Sequence, residues 1–155
     1  MFVLDSLDGL FVVCAFIFQI VLVNFFALRK WHFELALRLG PFVYALGVPA
    51  AVVSILLLLN GKPWLSVAGF VYLAWGIFGF VVEYVRKIQW RNPVRWVIYI
   101  PYVFLFLTTA MFYWWPLAYY GKSLWYGYAM LFLASSLLNA TSHGRPAEPP
   151  AEPEE

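Results

Sequence analysis

Charge is scarce in this sequence. Lys, Arg, Asp and Glu make up 12% of its 155 residues, about half the usual share. A soluble domain of this length still exposes about a third of its surface, and so few charges cannot cover it. Cysteine occurs once, as Cys14, so no internal disulfide can form. The two histidines, His32 and His143, lie far apart and outside every apolar run. Paired haem ligands and a zinc site of His and Cys therefore lack their residues. Phosphate-binding glycine motifs and a nucleophile elbow are missing too. A net charge of +2 leaves no electrostatic footprint for a nucleic acid. No cofactor, metal or nucleic-acid partner is expected.

Apolar and aromatic residues fill the chain instead. Hydrophobic residues reach 64% and aromatics 21%, with 8 Trp, 10 Tyr and 15 Phe. That composition points to an all-α integral membrane protein, a single bundle of transmembrane helices. Stretches almost free of charge run over about 9–28, 39–60, 64–85, 96–117 and 123–142. Each meets the roughly 20 residues a helix needs to cross the hydrocarbon. The runs are continuous, whereas a membrane barrel alternates from residue to residue. The fifth run is diluted by Ser135, Ser136 and Asn139, and an interfacial helix is its alternative reading. Residues 1–143 form the membrane domain in this reading. The tail from 144 to 155, GRPAEPPAEPEE, is acidic, proline-rich and expected to be disordered.

Basic residues orient the chain. Only Asp5 and Asp8 precede the first span. Arg29, Lys30 and Arg38 follow it, and Arg86, Lys87, Arg91 and Arg95 follow the third. Lys62, Lys122 and Arg145 stand alone in the remaining segments. The positive-inside rule puts the N-terminus outside and the C-terminus in the cytoplasm of a cell with this protein in its plasma membrane. The acidic flank before the first span and the basic pair after it describe an uncleaved anchor. Trp31, Trp90 and Trp96 are expected at the inner boundary, and Trp64, Trp114, Trp115 and Trp125 at the outer one, since indoles favour the headgroup level. Trp31–Leu39 reads as a helix on the inner surface, with Glu34 and Arg38 paired at i, i+4.

Few residues offer chemistry. Glu83 is the only acid near a span interior. It is expected to pair with Arg86 or Lys87 one turn on, with an intramembrane function as the alternative. Gln19 and Asn24 in span one need hydrogen-bond partners in a dry medium. They are read as helix–helix glue or as contacts to a solute. Gly47 and Pro49 interrupt span two and Pro101 span four, where broken helices can expose carbonyls. Asn92-Pro93, between Arg91 and Arg95, forms a basic loop. Topology signalling is its first reading; an anionic headgroup or a partner protein is the alternative.

A packing stripe stands out. Gly69, Tyr72, Gly76, Gly79 and Glu83 share one face of span three, and Tyr99, Tyr102, Phe106, Thr109 and Tyr113 share one face of span four. Placed antiparallel, the two faces stay in register. Gly76 then meets Phe106, and the Tyr99 hydroxyl reaches Glu83. Trp75 lies off the stripe. The alternative is an aromatic stripe that lines a lipid or ligand groove.

Length, five spans and tryptophan content resemble the tryptophan-rich sensory or translocator family. Lys62-Pro63-Trp64 is similar to part of that family's first loop, yet here it follows span two, and Leu138-Asn139 lacks the family's surrounding pattern. Porphyrin or sterol binding is therefore not carried over. The expected function is that of a non-enzymatic accessory or scaffold subunit, with the lipid bilayer and a membrane protein or a second copy as partners. A small oligomeric transporter or channel using Pro49, Gln19 and Asn24 is the alternative. An interfacial lipid-acting enzyme, limited to His32, Glu34, Glu83 and His143, comes third.

Overall fold

Asp5 starts the first helix by capping it. Its carboxylate accepts from the Asp8 N–H at 2.8 Å, and Asp8 reaches back to the Asp5 N–H, closing a capping box. The computed structural model describes residues 5–90 and 93–142; the acidic tail, His143, Arg91 and Asn92 lie outside them. Helix α1 covers Ser6–Trp31, α2 Phe33–Ala45, α3 Gly47–Leu59, α4 Pro63–Phe80, α5 Trp96–Tyr120 and α6 Lys122–Ser142, with a π-helical turn, Val81–Val85, ending α4. Every regular element here is a helix.

Among the described residues, four segments are long and apolar enough to cross a membrane: Ser6–Trp31, Phe33–Leu59, Pro63–Val85 and Trp96–Tyr120. The chain is a helical, apolar membrane protein. Helices α2 and α3 together make the second segment, broken only at Leu46. The surface helix expected over Trp31–Leu39 is therefore not separate: α2 runs straight from Phe33 into span two. Helix α6 is long enough, at roughly 1.5 Å per residue, but its hydroxyls and amides keep it outside this set of four.

Neighbours in sequence are neighbours in space, and α6 closes the ring against α1. Aromatic rings fill the interior. Phe18 lies 4.8 Å from Tyr72 and 5.4 Å from Tyr113, and Trp75 lies 5.6 Å from Tyr102 and 6.0 Å from Phe106. Between helices in lipid, apolar burial gives little drive, so close packing and ring contacts carry the association.

The glycine stripe of α4 is spent on span two, not span four. A Cβ at Gly76 would lie 2.7 Å from the Tyr44 carbonyl oxygen, and one at Gly79 would lie 2.6 Å from the Tyr44 ring. Gly69 faces Ala50 and Ser54, and Gly47 of α3 answers by facing the backbone of Leu73. Span two carries its own stripe of Tyr44, Gly47, Ala51 and Ser54, so two backbones can approach closely. Phe106 packs on Phe26 and on Trp75, the residue expected off the stripe. Helical periodicity defines a face but not the neighbour it meets.

Tryptophans divide in two. Trp31, Trp64, Trp96 and Trp115 are exposed near helix ends. Trp90, also expected among the boundary indoles, is buried against the protein, 4.8 Å from the Tyr102 ring. Trp114 stacks on Trp125 at 4.9 Å.

Candidate functional site

The π-turn shapes the one acidic site inside the bundle. Where α4 ends, the Arg86 N–H reaches back to the Val81 carbonyl at 2.8 Å, five residues earlier, and Ile88 N–H to Val82 at 3.0 Å. Glu83 sits half-buried in this widened turn. Tyr44 of α2 donates to the Glu83 carboxylate at 2.8 Å. The Tyr44 and Tyr102 hydroxyls lie 3.2 Å apart. A hydroxyl carries one proton, and that of Tyr44 is committed to Glu83. Tyr102 must then be the donor, giving a relay from Tyr102 to Tyr44 to Glu83. The Trp90 indole and the Arg29 guanidinium both lie near the same carboxylate.

Arg29 is buried at the end of α1, with its guanidinium 6.0 Å from the Phe33 ring centre. Tyr84, next to Glu83, donates to the Leu37 carbonyl at 2.7 Å and ties the turn to α2. Three helices and the π-turn thus converge on one carboxylate at the basic end of the bundle. The Trp75 indole, fully buried behind Tyr102, makes no hydrogen bond of good geometry, although the Tyr102 hydroxyl lies within its influence. The arrangement gives one carboxyl group a tyrosine hydrogen bond and a nearby guanidinium. It contains no nucleophile–base pair, and no three of His, Cys, Asp and Glu among the described residues could hold a metal.

The opposite end holds charge differently. Lys62, between α3 and α4, is paired with both Asp5 and Asp8, at 2.6 Å to Asp8, and Tyr120 donates to Asp8 at 2.9 Å. This clamp joins the start of α1, the α3–α4 loop and the end of α5. The Lys62 hydrogen bond holds the Asp5 carboxyl below its usual range. Partial desolvation pulls the Lys62 ammonium down, but its hydrogen bonds to Asp5 and Asp8 outweigh this and leave it raised.

Gln19 lies at mid-depth between these ends. Its amide donates to Tyr128 at 3.0 Å and accepts from Ser135 at 3.1 Å, while Tyr128 donates to the Ala110 carbonyl. Asn24 faces outward and bonds its own helix at the Ile20 carbonyl, 2.7 Å away. Pro49 is exposed in the first turn of α3, where a missing N–H costs little. Tyr99 packs against Trp90 at 6.1 Å and Trp96 at 5.6 Å; Tyr44, not Tyr99, is the tyrosine hydrogen-bonded to Glu83.

Sequence reasoning missed Arg29, Tyr44, Trp90 and the Lys62 clamp. A signal existed for two of them. Ala15, Phe18, Leu22, Phe26 and Arg29 continue one helical stripe, and Tyr44 opens the small-residue stripe of span two. Nothing local marks Trp90 as buried. Comparison with protein-family models, with curated proteins and with solved structures finds no match to this chain.

Proposed function

We propose that this protein is a non-enzymatic accessory or scaffold subunit of a membrane complex, seated in the plasma membrane with its N-terminus outside. In this reading α6 is a fifth span and its end is cytoplasmic, as the loop charges suggest. One observation carries the functional reading. The mid-depth amide of Gln19 is engaged at both ends inside the bundle. Around it, Phe18, Tyr72, Trp75, Phe106 and Tyr113 form an aromatic layer between the two polar ends. A solute path is normally lined by polar or ionisable groups, and this interior favours a stiff closed bundle. The outward placement of Asn24 and Pro49 removes two groups on which a transporter would draw.

The test is affinity purification of the full chain in mild detergent. A stoichiometric membrane-protein partner supports the subunit reading. A homo-oligomer without a partner that moves solutes across liposomes overturns it. For topology, in a Cys14→Ser background, Ser123→Cys should react with an impermeant thiol reagent applied outside intact cells, and Ser142→Cys should not. Labelling at Ser142→Cys contradicts the proposed orientation or the fifth span.

A further inference from the structure

Helices α5 and α6 are joined tightly at one end and part at the other. Gly121, with φ 153°, makes the turn between them. Beside it, Trp114 donates from its indole to the Trp125 carbonyl at 3.1 Å and packs 5.8 Å from Phe132. Toward the basic end a groove of about 180 Å³ opens between α1, α5 and α6. Phe26, Val103, Phe106 and Leu107 give it apolar walls, and Tyr99, Ser136 and Asn139 give it polar ones. Among the described residues, none of the Tyr99, Ser136 and Asn139 side chains has a hydrogen-bond partner. The polar residues that depress the hydropathy of α6 are thus divided. Ser135 points to Gln19, while Ser136 and Asn139 face the groove.

Unused polar groups in an apolar segment are costly unless something meets them. The groove is too short for a helix. It follows α5 only from Tyr99 to Leu107, about 12 Å at 1.5 Å per residue. A flexible chain with a polar head fits such a slot. Arg95, the residue that caps the start of α5, is exposed and precedes Tyr99 by four residues. Arg29, Lys30, Arg86 and Lys87 also belong to this basic end.

We propose that this groove seats one anionic phospholipid of the adjoining leaflet, its acyl chain against Val103, Phe106 and Leu107 and its headgroup at Tyr99, Asn139 and Arg95. The lipid fastens α5 to α6 where no side-chain hydrogen bond between them does so. Polybasic helix ends favour anionic headgroups, and the groove adds a fixed place for the chain.

The test is native mass spectrometry of the full chain released from nanodiscs holding equal phosphatidylglycerol and phosphatidylcholine. The wild type should retain one phosphatidylglycerol in preference to phosphatidylcholine. Arg95→Gln should reduce that preference about fivefold, the worth of one basic residue at an anionic surface. Ser136→Trp should fill the groove and abolish retention, while Leu133→Trp, on the exposed face of α6, should not. If Ser136→Trp fails to fold, Tyr99→Phe combined with Arg95→Gln decides, with weaker retention expected. Equal retention of the two lipids by the wild type overturns the proposal. So does a folded Ser136→Trp chain that binds as the wild type does, or unchanged preference in the double variant.

Discussion

The two ends of this bundle hold a carboxylate in opposite ways. At the acidic end, Asp5 and Asp8 face Lys62 where water can reach all three, with side-chain exposures of 53%, 13% and 23%. At the basic end, Glu83 is drawn inward, hydrogen-bonded to Tyr44 and set near Arg29. The first arrangement is an exposed clamp, which contributes little and yields to salt. The second is a half-buried network of hydrogen bonds among packed rings, in which losing one partner leaves a polar group short of a bond. The first ties helix ends together through one loop lysine, whereas side chains from packed helices and the π-turn surround the second.

Removing the cation from the inner network should have the largest effect. Arg29→Met removes the buried guanidinium that lies near Glu83 and should lower the melting midpoint in detergent more than any other change at this end. Glu83→Gln, which still accepts from Tyr44, should cost less. Next comes the close approach of spans two and three. Gly79→Leu collides with the Tyr44 ring and should cost about 1–3 kcal/mol. Tyr44→Ala should relieve part of that loss, and Phe106→Ala should not. A double-mutant cycle coupling Gly79 to Phe106 rather than to Tyr44 would return the glycines to span four.

At mid-depth, Gln19→Leu should cost roughly 1 kcal/mol, the size of an interhelical hydrogen bond in a membrane. It strands Tyr128 and Ser135 only in part, because Tyr128 keeps donating to the Ala110 carbonyl and the one Ser135 proton can turn to the Phe132 carbonyl.

The smallest effect belongs to the Lys62 clamp. Asp5 has a lowered pKa when folded, so its contribution is present above the ordinary carboxylate range and fades as pH falls below about 4. Lys62 has a raised pKa when folded, so its contribution holds through neutral pH and is lost as pH rises past about 10. Lys62→Met should therefore lower the melting midpoint slightly at neutral pH and by less at about pH 3. An equal effect at both values would mean that Lys62 acts by packing alone.

Much of the architecture was legible in the sequence, because hydropathy and helix length are local properties. Four of the expected spans coincide with helices long and apolar enough to cross. Glu83 was also visible as the one acid near a span interior. Its surroundings were not. The periodic face of α4 fits an aromatic stripe on span four and a small-residue stripe on span two equally well. Backbone proximity decided the outcome, since the glycines admit the Tyr44 carbonyl and ring. Arg29 looked like a topology signal because it adjoins Lys30 in the basic flank after the first span. Only its place on the stripe of Phe18, Leu22 and Phe26 separates the buried cation from the half-exposed one. The π-turn left no trace in composition, and the expected pairing of Glu83 one turn on assumed a regular helix there.

The contrast between the ends is tested most directly by salt. Melting midpoints of the wild type, Arg29→Met and Lys62→Met should be measured in one detergent from about 0.01 M to about 1 M salt, which shortens the screening length from about 30 Å to about 3 Å. The cost of Lys62→Met should vanish over that range, and the cost of Arg29→Met should persist. If the Arg29→Met cost vanished as well, the basic end would be a solvent-screened surface pair like the acidic one, and the buried network around Glu83 would be refuted.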